Sequence, residues 1–477
     1  MEAIEMDAAT SGENSARRTI EKLVERARSA MTSMGECDQG RVDDAVTALA
    51  WSLYKPENAK LLAEMAVADT GLGDADSKYL KNTRKTFGTL RDLLRAKTVG
   101  MIGEDKDKGL AYFGKPVGVV GAVCPSTNPS ATPVNKAMMA VKGGNAVIIG
   151  PSPSGYPTTA KAVEFMRGEL VKAGHAADLV QVLPPPVNKE LTQELVSQVD
   201  LAVVTGSQDN VRRAMLSGTV AIGVGAGNVP VILDESADLD DAAQKIARSK
   251  IFDNATSCSS ENAVVVLDSV YERAIQALEN AGGWLCDRDE RAAVERNLWI
   301  GGKLNRRAIA KDAPTLAGLF GLRPGAETRK FFMVEEAGVG GKGSFADEKL
   351  SLVLAVYRAG DFDDAKRIVR SILDVAGKGH SVGIHTRSMA RAREVAEETD
   401  VVRVLVNQAH TFGNGGGFDN ALPFTLSMGG GTWAGNTIDN NLNYRCFINV
   451  TRLVTTIPED RPTEEQLFGK YWKRYGK

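Results

Sequence analysis

NAVIIGPSPSG, residues 145–155, decides how the fold is read. Ala146 to Ile149 form an unbroken apolar run rich in β-branched residues, the pattern of a strand covered on both faces. The run stops at Gly150. Pro151 and Pro153 forbid a helix directly after it and hold Ser152 and Ser154 at the strand's carboxyl edge, where open α/β sheets bind ligands.

Working outward, the same kind of run recurs as VGVVGAV (117–123), LVQVL (179–183) and DLAVVTG (200–206), with helical composition between them. Such alternation predicts βαβ units and a buried parallel sheet. A second alternating stretch follows, with strands expected at 263–267, 354–359 and 402–407 and helices such as DFDDAKRIVRSILDVAG between them. Ahead of both, Ile20, Leu23, Val24, Ala27, Met31 and Met34 recur at helical intervals, and the pattern stays helical to about Lys97. The expected fold class is therefore α/β, and 477 residues are enough for two or three domains.

A formal charge of -2 gives no general attraction for nucleic acid or an anionic membrane. The acidic start MEAIEMDAAT lacks the apolar core of a secretory signal, and no uncharged apolar stretch is long enough to span a bilayer. A cytoplasmic protein is expected. Five cysteines form an odd set without a CxxC pair, so free thiols are expected. The four histidines show no HExxH and no cysteine partner at zinc-site spacing, so no metal is expected.

Several motifs carry chemistry. VVTGSQDNVRRAM places Gly206 and Ser207 between a strand and a helix, where free N–H groups can face a phosphate or simply make a tight turn. GVGAGNVP (223–230), with Gly225 inside it, implies close approach of backbone or a bulge. FGNGGGFDN (412–420) and MGGGTWAGNT (428–437) shape a pocket or turn corners. Cys258, in NATSCSSENAVVV, stands among hydroxyl and amide side chains on a loop before a buried strand. Local chemistry alone tips it narrowly towards a packing thiol over a nucleophile.

Taken in order, strand–TNP–helix at 119–141, NAVIIGPSPSG, TGSQ, GVGAGN, the Cys258 loop, EKLS (348–351) and GTWAGN resemble the aldehyde dehydrogenase superfamily, and within it the coenzyme A-acylating branch. The resemblance spans roughly residues 110–450. It implies a Rossmann-like cofactor domain (1–225, including a 99–116 hairpin for oligomerisation), an α/β catalytic domain (226–430) and a return with an oligomerisation strand (431–477). It implies NAD or NADP as cofactor, coenzyme A as cosubstrate, a small aldehyde as substrate, and a homodimer or homotetramer.

By position, the resemblance makes Cys258 the nucleophile, Gly206 and Ser207 the phosphate-side turn, and Glu348 the ribose carboxylate, with Gly225 on the cofactor side. Gly150, Pro151 and Ser152 fall at the adenosine-ribose edge; Gly150 stands where many members carry a lysine, which leaves NAD and NADP both open. Thr127 or Asn128 takes the oxyanion-donor position. Hydrolytic members carry a glutamate thirty-four residues before the nucleophile, and that place is Val224 here. A thioester without a base to activate water is open to a thiol, for which coenzyme A is the natural candidate.

The glycine-rich loops look closest to enzymes of short aldehydes with an anionic tail, sulfoacetaldehyde ahead of succinate semialdehyde and acetaldehyde. Candidate tail donors are His410, Arg445 and Asn407. The alternatives are an acyl-phosphate reductase on the same fold and a nucleotide-binding scaffold whose cysteine has lost its task.

Overall fold

The computed structural model describes residues 2–477. Four helices open the chain: Glu2–Gly35, Gln39–Tyr54, Pro56–Thr70 and Ala75–Leu94. Local chemistry sets their ends. Asp38 and Asp74 accept N–H groups of the first turns they precede, Pro56 takes a first-turn position, and Gly71 closes its helix at φ 64°. The fourth helix inverts the usual amphipathic rule: Lys78, Lys81, Asn82, Lys85 and Thr89 are buried, while Leu80, Phe87 and Leu94 are exposed.

The hairpin Gly100–Asp105 and Leu110–Pro116 pairs antiparallel with the late strand Ile448–Val454, giving a separate three-stranded sheet. Each of the four apolar runs then becomes a strand. Joined by Ala221–Val224, they assemble as a parallel five-stranded sheet in the order Val180–Val182, Ala146–Gly150, Val119–Val123, Leu201–Thr205, Ala221–Val224. The order reverses between Val119–Val123 and Leu201–Thr205, so the crevice at their carboxyl ends is the ligand site such sheets offer.

A second parallel sheet has seven strands in the order Gly283–Leu285, Phe331–Glu336, Val353–Ala359, Glu261–Leu267, Val229–Leu233, Val382–His385, Val404–Val406. Each sheet lies in its own cluster of buried apolar residues. GVGAGNVP is the crossing from one sheet to the other, for Ala221–Val224 ends the first and Val229–Leu233 begins the second. Its short apolar pieces hid two strands behind their glycines. No described helix is long and apolar enough to cross a membrane.

This topology positions the chemistry. Asn128 and Gly206 follow carboxyl ends of the first sheet, whereas Cys258 lies just before Glu261–Leu267, at the amino edge of the second.

Candidate active site

Where those two edges meet, the chain encloses a cavity of about 340 Å³. Cys258, Thr127, Asn128, Gly206, Ser207, Gly225 and Glu348 all line it. Residues scattered over more than 200 positions of sequence are thus brought to one space. Gly150, Pro151 and Ser152 lie outside the lining, at the carboxyl end of the adjacent strand, where Gly150 O accepts Cys124 N at 2.9 Å.

The three expected tail donors are not brought to the cavity. Arg445 is exposed on the short turn Tyr444–Phe447, with Nε turned to Tyr444 Oη at 3.4 Å. Asn407 spends its amide on Thr386, accepting its N–H at 2.9 Å and donating to its carbonyl at 2.8 Å. His410 is buried behind the cavity, its Nε2 paired with Ser381 Oγ at 2.8 Å. Burial first, then Arg403, holds that imidazole down to about 3, so it is neutral and offers no cation.

Cys258 is a free thiol. Burial pushes it up to about 11, the Glu348 carboxylate adds to the rise, and Arg403 opposes it. Gly227 lets the chain close behind the thiol: a Cβ there would stand 2.5 Å from Cys258 O and 2.8 Å from His380 Nε2. His380 is buried with Nε2 unpartnered, and burial keeps it neutral. The sequence reading weighed His380 only as a metal ligand and missed this position. Among the described residues no three His, Cys, Asp or Glu side chains gather as a metal site.

Both oxyanion candidates line the cavity, and Asn128 has its amide oxygen fixed. Lys81 Nζ donates to Asn128 Oδ1 at 2.8 Å, which leaves the amide N–H groups free for an anion in the cavity. Thr127 is engaged through its carbonyl, by Lys78 Nζ at 3.1 Å. The Cys258 backbone N–H donates to no other residue among those described, so it and Asn128 form a pair of unspent donors.

The cavity also has a cationic wall that the sequence reading missed. Lys81, Arg84 and Lys85 line it from the inverted helix, and Glu348 is the one carboxylate in the lining. Arg84 donates to Phe412 O at 3.3 Å and stacks its guanidinium near the rings of Phe412, Phe418 and Phe424. Lys85 Nζ donates to Gly415 O at 2.6 Å; burial, then Arg84 and Lys81, push it down to about 7. Glycine suits position 415, because a Cβ there would stand 2.7 Å from the backbone oxygen of Thr425 as well as from Lys85 Nζ.

The residues fit a dinucleotide. Ser207 caps the helix Gln208–Met215, accepting Asn210 N at 3.3 Å beside Gly206, and Gly225 keeps the neighbouring wall free of a side chain. Glu348 completes it. Its Oε1 accepts Gly227 N at 3.3 Å, and burial pushes its carboxyl up to about 8. A carboxyl raised this way is protonated below about pH 8 and loses acceptor strength towards ribose hydroxyls. Dinucleotide affinity, measured by fluorescence titration, is therefore expected to weaken as pH falls through about 8, and Glu348→Gln to weaken it at all pH values and flatten that dependence.

Comparison with known proteins agrees with this geometry. The profile of the "Aldehyde dehydrogenase family" matches residues 5–284. Sulfoacetaldehyde dehydrogenase (acylating) of Cupriavidus necator is 50% identical over 463 residues, 97% of this chain and 94% of that protein. The enzyme of the same name from Bilophila wadsworthia is 41% identical, covering 96% of this chain and all of its own. The crystal structure of an acetylating aldehyde dehydrogenase from Geobacillus thermoglucosidasius superposes with a TM-score of 0.90 at 31% identity, over 94% of this chain and 99% of that one. The chain belongs to the aldehyde dehydrogenase family. It is an oxidoreductase acting on aldehydes.

Proposed function

We propose that the protein converts a short aldehyde, coenzyme A and oxidised NAD or NADP reversibly into the acyl-CoA, the reduced cofactor and a proton, with sulfoacetaldehyde as the aldehyde. The observation that carries this reading is the make-up of the cavity: one thiol, one carboxyl group already accepting a backbone N–H, and three basic side chains.

Cys258 Sγ bonds to the aldehyde carbon, and the carbonyl oxygen becomes an oxyanion between Cys258 N–H and the Asn128 amide. The dinucleotide, held by Gly206, Ser207, Gly225 and Glu348 with Gly150, Pro151 and Ser152 at its adenosine side, supplies the hydride acceptor. The acyl group is then a thioester on Cys258. Val224, where hydrolytic relatives need a base, is a buried strand residue, so the thiol of coenzyme A displaces Cys258 in preference to water. Lys81, Arg84 and Lys85 give the sulfonate tail its counter-charge.

The three-stranded sheet of the 99–116 hairpin and the late strand, with Met101, Leu453 and Val454 exposed, is the proposed assembly element of a homodimer or homotetramer. A reactive free thiol suits the reducing cytoplasm. The test is reduced-cofactor formation from sulfoacetaldehyde with coenzyme A, with phosphate, or with neither. Formation only with coenzyme A is expected. Equal rates in all three mixtures would refute the acceptor, and a phosphate requirement would favour an acyl-phosphate reductase.

A further inference from the structure

Asp253 is a fully buried carboxylate five residues before the nucleophile, and it accepts from three donors of another part of the chain. Lys81 Nζ reaches its Oδ2 at 2.6 Å and Lys78 Nζ at 3.1 Å, while Asp74 N donates to Oδ1 at 3.0 Å. The same two ammonium groups hold the oxyanion segment, Lys81 at Asn128 Oδ1 and Lys78 at Thr127 O. One carboxylate therefore joins the loop of Cys258 to the loop of Asn128 through two lysines.

The backbone shows that this join is under constraint. Asp253, Asn254 and Ala255 stand in the left-handed region at φ 52°, 50° and 60°, three consecutive non-glycine residues in a conformation L-residues avoid. Such a run persists only where surrounding contacts over-determine it, and runs of this kind gather at functional sites. Gly73 makes room for the carboxylate: a Cβ there would sit 1.8 Å from Asp253 Oδ1. Thr256 N, two residues before Cys258, is bonded back to Asp253 O at 3.0 Å, passing the constraint along the loop.

We propose that Asp253 is a positioning residue that sets both halves of the oxyanion site at once, aligning the Asn128 amide through Lys81 and the Cys258 N–H through the strained turn. It touches no substrate. This rests on the oxyanion reading above, and the experiment separates the two. Asp253→Asn keeps the shape and removes the charge. Its kcat is expected to fall about 10²-fold, the lower end of the loss when one oxyanion donor is removed, with KM for the dinucleotide unchanged within about twofold.

The decisive measurement is a double-mutant cycle with Asn128→Ala. If Asp253 acts through Asn128, adding Asp253→Asn to Asn128→Ala costs far less than it does alone. Lys81→Met, which leaves Asp253 paired with Lys78, is expected to behave likewise when assayed with acetaldehyde, whose tail does not draw on the Lys81 charge, and it carries the cycle should Asp253→Asn fail to fold by thermal unfolding. Additive losses in both cycles, or a raised dinucleotide KM with kcat intact, would overturn the proposal. A wild-type protein that makes no acyl-CoA would instead refute the reaction itself.

Discussion

Cys258→Ser is expected to lower acyl-CoA formation by at least about 10⁴-fold while leaving dinucleotide affinity within about twofold of the parent protein. The argument rests on what a hydroxyl cannot do in this environment. Burial already pushes the Cys258 thiol up to about 11, and a serine hydroxyl at the same place is a far weaker acid with no activating base beside it. The lining residues assigned to the dinucleotide are all untouched. Incubating the parent protein with aldehyde and oxidised cofactor, without coenzyme A, is expected to leave an acyl adduct on Cys258 that mass spectrometry detects. Its slow loss in water follows from the lack of a carboxylate at Val224. An adduct on another residue, or near-parental turnover by the serine variant, would end the nucleophile assignment.

Much of this architecture was legible because its signals are local. A strand buried on both faces announces itself as an unbroken apolar run, so 117–123, 145–150, 179–183 and 200–206 could be placed without tertiary information. Cys258, Gly206 and Glu348 owe their assignment to the family resemblance, which the order of short patterns along the chain carries, and the fold brings all three to the cavity lining. The cationic wall was not legible. Lys78, Lys81 and Lys85 repeat at helical spacing among Leu80 and Phe87, and local rules assign the lysines to solvent. The reverse arrangement arises because Asp253, Asn128 and the Gly415 carbonyl, all distant in sequence, supply partners that make burial of those ammonium groups tolerable.

The misplaced tail donors show the same limit from the other side. Arg445 and Asn407 were chosen for side-chain type near a glycine-rich loop, but a donor's direction depends on what already occupies it. Asn407 is spent on both backbone groups of Thr386, and Arg445 faces outward beside Tyr444. Arg84, by contrast, has one backbone acceptor and three aromatic neighbours, which leaves guanidinium N–H groups to spare in the cavity.

That spare capacity leads to the expected specificity of the site. Arg84→Met is expected to lower kcat/KM for sulfoacetaldehyde by about 10²-fold while changing that for acetaldehyde by no more than about threefold. The size follows from losing charge-assisted hydrogen bonds to a sulfonate, worth about 1.5–3 kcal/mol. The methionine keeps an apolar stem against Phe412, Phe418 and Phe424, so the wall itself is preserved. The methyl tail of acetaldehyde makes no such bond and registers no loss. Lys85 adds a pH signature: pushed down to about 7, it loses its charge as pH rises, so KM for the sulfonate aldehyde is expected to climb above about pH 7 even in the parent protein, with Arg84 holding what remains. Steady-state kinetics with both aldehydes across pH 6 to 9, taken as the conditions of the assay, decide the matter. Equal losses for the two substrates would mean that Arg84 shapes the cavity and does not read the tail.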